Sequence, residues 1–251
     1  MSPPTSGLGS RARHDVIVKC PFHKVYPKDL PASLEYKIGC YLVADESPKL
    51  FREANVLYWA KALLGLVYDV IDRATAGASE PIPFDIPRVR FVKAGLALSY
   101  CQQDTGIKKP GSKAPLIRAG FLLKEVIDGG DADFIKYIHN MDPNPLLDPD
   151  EFGYNFALFL AFTQHVQYVK TGGLVFISDY QGMHFLLTDL QIMTHPSISK
   201  NREIFGGGNI EKAVSEFESC HICNHFCKWP GFGLEEFGAR DQSSSNDTGF
   251  H

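Results

Sequence analysis

Three cysteines and two histidines lie within ten residues of this chain, in the segment E-S-C-H-I-C-N-H-F-C at 218–227. Thiolates and imidazoles are the usual protein ligands of zinc, and two ligand sets fit the spacing. If the segment continues a helix, Cys220, Cys223 and Cys227 share one face. Alternatively, His221, Cys223 and Cys227 form an H-x-C-x3-C set, and a tetrahedral structural zinc takes its fourth ligand from elsewhere. A third interpretation is that the cysteines only pack on a helix and bind no metal.

A second group of polar side chains follows apolar runs, where strands would end. The run F-I-S-D-Y-Q-G at 176–182 carries Asp179 and Gln181, two residues apart and therefore on one face of a strand. The next apolar run ends in Asp189. A tight turn at Gly182 would join the runs in a hairpin with both aspartates near one end, where carboxylate oxygens suit Mg²⁺. The alternative is that Asp179 faces solvent and Asp189 caps the turn.

Two further features could contact phosphate. Lys19 closes the β-branched run V-I-V-K, and a lysine on a strand can pair with nucleotide phosphates. The stretch F-G-G-G-N at 205–209 precedes a predicted helix and could offer backbone N–H groups to an anion. Each feature also has an ordinary interpretation, because most strand lysines are solvated and a glycine run can be a simple turn.

The pattern of apolar residues predicts the elements that position these side chains. Period-two and β-branched runs predict strands at 15–20, 37–45, 88–94, 115–127, 173–181 and 183–189. Apolar stripes at helical spacing predict helices at 48–74 and at 149–169, the latter with the start signals Pro149, Asp150 and Glu151. A shorter helix is predicted after Asn209, a favourable N-cap residue, through residue 222. Turn-rich segments separate a strand-dominated first part from a second part that opens with a helix.

Composition and charge exclude several classes of protein. The net charge of −4 gives no basic surface of the kind that binds nucleic acid. No stretch approaches the roughly 18–20 uninterrupted apolar residues of a membrane helix, and the first residues lack the apolar core of a signal peptide. We therefore expect a cytoplasmic or nuclear protein with neither a nucleic-acid nor a membrane partner. In that reducing compartment, clustered cysteines favour a metal over disulfides.

Taken in order, these motifs resemble those of the alpha-kinase family, the atypical protein kinases that include myosin heavy chain kinases and elongation factor 2 kinase. D-Y-Q-G at 179–182 resembles the family's D-L-Q-G, and L-T-D-L-Q-I at 187–192 its L-T-D-P-x-I. T-Q-H-V-Q-Y at 163–168 is similar to S-H-F-T-Y, G-G-G-N-I at 206–210 to G-x-G-N-L, and H-I-C-N-H-F-C at 221–227 to H-x-C-N-x-x-C. The resemblance is densest in this part of the chain and looser before it.

The resemblance implies an α+β fold of two lobes, of the atypical alpha-kinase type, with a C-terminal lobe stabilised by zinc. The amino-terminal nucleotide-binding lobe would span 15–127, and the catalytic and zinc-binding lobe 128–238. The tails at 1–14 and 239–251, rich in polar and glycine residues, are expected to be disordered.

The resemblance also selects the zinc ligands, which would be His165, His221, Cys223 and Cys227. Four protein ligands leave no open position for a substrate, so this zinc would be structural rather than catalytic. A zinc-dependent hydrolase is disfavoured for the same reason, and no H-E-x-x-H motif accompanies the cluster.

Roles in nucleotide binding and catalysis fall, by resemblance, on eight further residues: Lys19, Gly206, Gly208 and Asn209 at the ATP phosphates, Glu125 at the adenine, Gln181 and Asp189 at Mg²⁺, and Asp179 at the attacking hydroxyl. The family's adenine-contacting glutamate could equally align with Lys124. The division of labour between Asp179 and Asp189 stays open, since both would lie close to the same metal and phosphates.

The expected activity is therefore phosphorylation of serine or threonine in a protein substrate, with Mg·ATP as the phosphate donor. The alternative is a pseudokinase or scaffold with the same zinc-stabilised fold and no transfer. The presence of Lys19, Asp179, Gln181 and Asp189 argues against this alternative. The sequence departs from the family pattern at two positions: Leu190 stands where the family has a proline, and Glu211 stands where another glycine is common.

Overall fold

The computed structural model describes residues 8, 15–26, 36–101, 116–130, 133–199, 204–205 and 210–237. These residues form a mixed α and β structure. Apart from Leu8, the predicted tails at 1–14 and 239–251 lie outside the described residues, and so do Gly206, Gly208 and Asn209.

Runs of strands are separated by two long helices, and three short helices follow the last strand in the described part of the chain. The strands are β1 (Val16–Lys19), β2 (Phe22–Val25), β3 (Lys37–Cys40), β4 (Arg90–Phe91), β5 (Ala94–Cys101), β6 (Leu116–Glu125), β7 (Ile135–Lys136), β8 (Val175–Ser178), β9 (Gln181–Met183), β10 (Leu186–Thr188) and β11 (Gln191–Thr194). The helices are α1 (Val43–Gly77), α2 (Tyr154–Lys170), α3 (Pro196–Ser199), α4 (Glu211–Ser215) and α5 (Phe217–Cys220), followed by a short 3-10 turn at Pro230–Phe232.

The chain divides into two compact units. Unit 1 comprises Met1–Asn55 and Val92–Val126, and unit 2 comprises Val56–Phe91 and Ile127–His251. The sequence prediction assigns all of 15–127 to one lobe, whereas the stretch 56–91 groups with unit 2. Strand pairing explains this grouping, because β4 pairs with β10 and the Arg90 amide donates to the Phe185 carbonyl at 3.0 Å.

Unit 1 is built on two antiparallel sheets. Strand β6 lies between β1 and β5 in one sheet, and β2 pairs with β3 in the other. The predicted strand at 37–45 is too long: it ends at Cys40, and α1 begins at Val43. The Leu42 carbonyl accepts hydrogen bonds from the Asp45 and Glu46 amides, which closes a first helical turn ahead of Pro48.

Unit 2 contains the four-stranded sheet β4-β10-β9-β7 and the pair β8-β11. Helix α2 begins at Tyr154, five residues after the predicted start, and Gly153 precedes it with a left-handed φ of 94°. The expected start signals form a turn instead, in which the Asp148 amide donates to Glu151 Oε2 at 2.6 Å. The left-handed backbone of Gly153 is incompatible with a right-handed helix, so α2 starts only after this residue.

Helix α1 is long and apolar enough, by length and composition, to cross a membrane. Its most apolar window has a mean hydropathy of 1.3, and 44% of that window is buried inside the protein. Leu64, Val67 and Ile71 supply part of this buried surface. The core helix of a soluble protein has the same length and composition, so this helix is weak evidence for a membrane span.

Within unit 1, a lysine on β6 is almost completely enclosed. Lys124 Nζ lies 3.1 Å from Glu53 Oε1 of α1, and the two side chains are 2% and 47% exposed. Removing one carboxylate partner of a buried ammonium lowers protein stability more than breaking an exposed ion pair does. The reason is that the ammonium remains desolvated.

We therefore expect Glu53→Gln to lower the free energy of unfolding by about 1–3 kcal/mol. Asp72→Asn on the same helix is the matched control. Asp72 pairs with Arg88 at 3.3 Å, but both side chains are more than half exposed, so its loss should cost about 0.5 kcal/mol or less. Urea unfolding of both variants measures the difference. Equal losses of unfolding free energy in the two variants would contradict the prediction that the buried ion pair stabilises the fold more than the exposed one.

Candidate functional site

The two predicted aspartates flank one end of the β9–β10 hairpin. Thr188 pairs with Gln181 across the hairpin, so Asp189, which follows Thr188, and Asp179, which precedes β9, come to the same end. The Gln181 side chain links the strands there, since its Nε2 donates to the Asp189 carbonyl at 3.0 Å. The structure thus brings three predicted site residues together in unit 2.

The hairpin turns at a different place from the one predicted. Met183 pairs with Leu186, so the turn is at His184 and Phe185, and Gly182 lies inside β9 opposite Leu187. A side chain at Gly182 would place its Cβ 2.2 Å from the Leu186 carbonyl oxygen. Glycine is needed here because the neighbouring backbone approaches too closely for any Cβ, and not because the chain reverses direction.

Asp179 is buried and conformationally strained. It is 8% exposed and has a left-handed φ of 59°, and Asp189 has a φ of 50°. Non-glycine residues rarely adopt this backbone conformation, and the residues that do are concentrated at functional sites. Asp179 lies between β8 and β9, so the expected strand face shared with Gln181 does not exist. The solvent-facing alternative for Asp179 is also wrong.

Lys136 is a site residue that the sequence analysis missed. Its Nζ forms an ion pair with Asp179 Oδ1 at 2.8 Å, and in β7 it pairs with Gln181. Lys136 belongs to a strand of only two residues, too short for any periodic signal. Only the pairing of β7 with β9 shows that the lysine and the aspartate meet.

The four predicted zinc ligands converge in unit 2. One ligand atom from each of His165, His221, Cys223 and Cys227 lies within 4.8 Å of the other three. His165 Nδ1 is 3.7 Å from Cys223 Sγ, and His221 Nε2 is 3.7 Å from Cys227 Sγ. His165 is fully buried in α2, and the other three follow α5.

The end of α5 decides between the two ligand sets. The predicted helix through residue 222 is interrupted at Glu216 and ends at Cys220. Cys220, Cys223 and Cys227 therefore cannot share a helix face, and the all-cysteine set is wrong. The side chain of Asn224 fixes the loop instead, because its Nδ2 donates to the Leu158 carbonyl of α2 and its Oδ1 accepts from the Phe226 amide, both at 2.9 Å.

Burial and proximity shift the protonation of the cluster. Burial is the main cause that lowers the pKa of His165 to about 4, and nearby His221 acts in the same direction. A hydrogen bond with Cys227 lowers the pKa of Cys223 to about 3, and the same bond raises the pKa of Cys227. Zinc binds thiolates and neutral imidazoles, so metal binding would release the thiol proton that the raised pKa of Cys227 retains.

These four residues fit a zinc ion. With Zn–N of about 2.05 Å and Zn–S of about 2.3 Å, a tetrahedral site separates nitrogen from sulfur by about 3.6 Å. Two of the nitrogen–sulfur distances in the cluster, each 3.7 Å, are close to that edge length. Two imidazoles and two thiolates also match the donor set of structural zinc sites.

Lys19 and Glu125 lie in unit 1 and are not neighbours there. Lys19 pairs with Leu122 and Glu125 with Val16, at opposite ends of the β1–β6 ladder. Glu125 Oε2 accepts a hydrogen bond from the Lys93 amide at 2.9 Å. The adjacent Lys124, the alternative position for the adenine-contacting residue, is buried beside Glu53. These residues' nucleotide roles stay predictions.

Comparison with known proteins assigns the chain to a family. The family model described as "Alpha-kinase family" matches residues 75–227, which is more than half of the 251 residues. The chain belongs to the alpha-kinase family. The matched residues include the hairpin that carries both aspartates and all four members of the His/Cys cluster. This assignment confirms the family resemblance of the sequence motifs.

Among curated proteins, the mouse (Mus musculus) alpha-protein kinase 2 is 34% identical over 68 residues. That match covers 27% of this chain and 3% of the length of the mouse protein. Among solved structures, the alpha-kinase domain of myosin heavy chain kinase A in complex with AMP is 16% identical, with a TM-score of 0.47 over 80% of this chain and 64% of that chain. A C-terminally truncated alpha-kinase domain of myosin heavy chain kinase is 17% identical, with a TM-score of 0.48 over 80% of this chain and 64% of that chain.

Proposed function

We propose that this chain transfers the γ-phosphate of ATP to a serine or threonine hydroxyl of a protein substrate. The observation that carries the proposal is the hairpin end of unit 2. There Asp179, Gln181 and Asp189 come together in a member of the alpha-kinase family, and Lys136 pairs with Asp179 at 2.8 Å. Phosphoryl transfer depends on positioning and charge neutralisation, and these four side chains can supply both.

In this proposal Asp179 accepts the proton of the attacking hydroxyl. The hydroxyl oxygen bonds to the γ-phosphorus, the bond to the β–γ bridging oxygen breaks, and ADP leaves with that electron pair. Lys136 holds the Asp179 carboxylate in place through its ion pair. The buried setting of Asp179 keeps competing water away from it.

Gln181 and Asp189 are the proposed Mg²⁺ ligands. One carboxylate and one amide oxygen fit a metal that takes most of its remaining ligands from phosphates and water. Bound Mg²⁺ supplies charge neutralisation at the phosphate oxygens. Lys19, Gly206, Gly208 and Asn209 are proposed at the phosphates and Glu125 at the adenine.

We propose that the His/Cys cluster holds a structural zinc. Zinc, when bound, supplies four bonds that join α2 to the segment after α5. Because all four positions are taken by protein side chains, the cluster would offer no site for a substrate. An intracellular location, in the cytoplasm or the nucleus, is proposed with it, since a reducing compartment preserves the thiolates.

Transfer of radiolabelled γ-phosphate from Mg·ATP to a general protein substrate tests the proposal. We expect labelled phosphoserine or phosphothreonine, dependent on Mg²⁺. Nucleotide binding to the same preparation is measured beside it. A folded, zinc-loaded chain that transfers no phosphate would overturn the kinase proposal. If that chain still bound nucleotide, the scaffold alternative would take its place.

The ion pair at the hairpin gives a prediction of its own. We expect Lys136→Met to lower kcat by about 10- to 100-fold with little change in the KM for ATP, because Asp179 loses the group that holds it. Lys228→Met is the matched control, since Lys228 pairs with Glu236 at 3.2 Å on the surface of the same unit. Steady-state kinetics of the two variants measure the effect. Parental kcat in Lys136→Met would remove Lys136 from the site.

A further inference from the structure

A row of buried polar side chains on α2 holds the chain that leads into the catalytic hairpin. Thr163, Gln164 and Gln167 are all fully buried. Gln164 Nε2 donates to the Ile177 carbonyl at 2.8 Å, and the Ile177 amide donates to Gln167 Oε1 at 2.8 Å. The amide and the carbonyl of Ile177, two residues before Asp179, are therefore both hydrogen-bonded to side chains of α2.

Tyr180 continues this attachment between Asp179 and Gln181. Its ring is fully buried, and its hydroxyl lies 2.9 Å from Thr163 Oγ1. Thr163 Oγ1 already donates to the Leu160 carbonyl at 2.7 Å. A hydroxyl has one proton to donate, so Tyr180 must be the donor in the bond to Thr163. Burial raises the pKa of Tyr180, which keeps that proton in place at physiological pH.

The backbone of Tyr180 is held as firmly as its side chain. Its carbonyl accepts hydrogen bonds from the Tyr137 amide at 2.9 Å and the Ile138 amide at 3.2 Å. On one side of it Asp179 has the strained φ of 59°. Such a conformation persists only where the surroundings over-determine it. Leucine, the residue of the family's D-L-Q-G motif at this position, could not donate a hydrogen bond.

We propose that the Tyr180 hydroxyl, bound to Thr163 of α2, is a positioning device that keeps Asp179 and Gln181 in their active backbone conformation. The inference rests on the proposed phosphoryl transfer. Tyr180 itself reaches neither substrate nor metal in this scheme, because its side chain is fully buried against α2. It is a positioning residue and acts through its two neighbours.

Tyr180→Phe tests the hydroxyl while keeping the ring. We expect kcat to fall about tenfold while the KM for ATP stays within about twofold of the parental value. Thr163→Val should lower kcat by a similar factor. The double variant should have a kcat only slightly below that of either single variant, because each of the three proteins lacks the same Tyr180–Thr163 hydrogen bond.

Tyr137→Phe is the matched control. Tyr137 is 2% exposed, and its hydroxyl donates to the His184 carbonyl at 3.5 Å, at the turn end of the hairpin. This variant also removes one hydroxyl from a buried tyrosine of unit 2, so it controls for that chemical change. We expect its kcat to stay within about twofold of the parental value. Equal losses of kcat in Tyr137→Phe and Tyr180→Phe would overturn the proposal.

A readout without catalysis separates this inference from the proposed function. We expect amide hydrogen exchange in the peptide 177–183 of the nucleotide-free protein to be about tenfold faster in Tyr180→Phe and unchanged in Tyr137→Phe. If the parental chain transfers no phosphate, the kinase proposal fails, yet the exchange rates still decide whether Tyr180 fixes this segment. Parental exchange in Tyr180→Phe would refute the positioning role in either case.

Discussion

Asp189→Asn is expected to reduce phosphoryl transfer by about 10²- to 10³-fold, the loss typical of removing one group that stabilises transition-state charge. The substitution removes the negative charge that is proposed to bind Mg²⁺. Asparagine is the appropriate replacement because Asp189 has a φ of 50°, and asparagine tolerates the left-handed region better than alanine. The measurement is γ-phosphate transfer per folded molecule, with zinc content determined for each preparation.

Asp150→Asn controls for the chemical change, since Asp150 is an exposed carboxylate in the turn before α2. It should retain parental activity. Asp179→Asn distinguishes the two roles, because losing the proposed proton acceptor should abolish transfer while Mg²⁺-dependent nucleotide binding persists. Asp189→Asn should instead raise the Mg²⁺ concentration that nucleotide binding requires. Normal transfer by folded Asp189→Asn would show that the metal assignment is wrong.

Loss of the His/Cys cluster is expected to unfold unit 2 or to destabilise it severely. Structural zinc sites contribute apparent binding free energies of about 10–16 kcal/mol in small zinc-binding peptides, as much as the whole stability of a typical domain. Cys227 is 1% exposed, so Cys227→Ser removes a ligand that solvent cannot replace. A loss of about 5 kcal/mol would lower Tm by about 10–20 °C in a domain of 150–250 residues. Thermal unfolding and metal analysis of the purified variant measure both consequences.

Cys220→Ser is the matched control for this experiment. Cys220 is exposed at the end of α5, only three residues before the ligand Cys223, and it is not part of the converging set. We expect one zinc per chain and a parental Tm for Cys220→Ser, and a loss of both for Cys227→Ser. A Cys227→Ser protein with full zinc content and unchanged Tm would refute the proposed ligand set. Chelation that removes zinc without affecting unfolding would refute its structural role.

The structure brings predicted residues together where local spacing carried the signal. The H-x-C-x3-C set and the two aspartates lie in short segments, so their types and order could be recognised directly. His165 lies 58 residues before Cys223, and the family resemblance, not spacing, selected it. The structure brings it to the other three because α2 and the segment after α5 pack together.

Several predictions failed where tertiary contacts override local patterns. The hairpin turn is at His184 rather than Gly182, because strand register decides which residues lie opposite one another. Helix α2 begins at Tyr154 and not at the predicted residue 149, and the Glu151 side chain accepts a hydrogen bond from the Asp148 amide in the preceding turn. A local sequence pattern does not specify which of several possible partners a polar group bonds to in the folded chain.

The sequence by itself determined the family, the His/Cys set and the pair of aspartates, because these residues are recognised by their types and order. Only the tertiary structure decided that Lys136 reaches Asp179 and that Tyr180 donates to Thr163. These contacts join residues on different elements. They depend on strand register and helix packing, which the whole chain sets together and no local segment specifies.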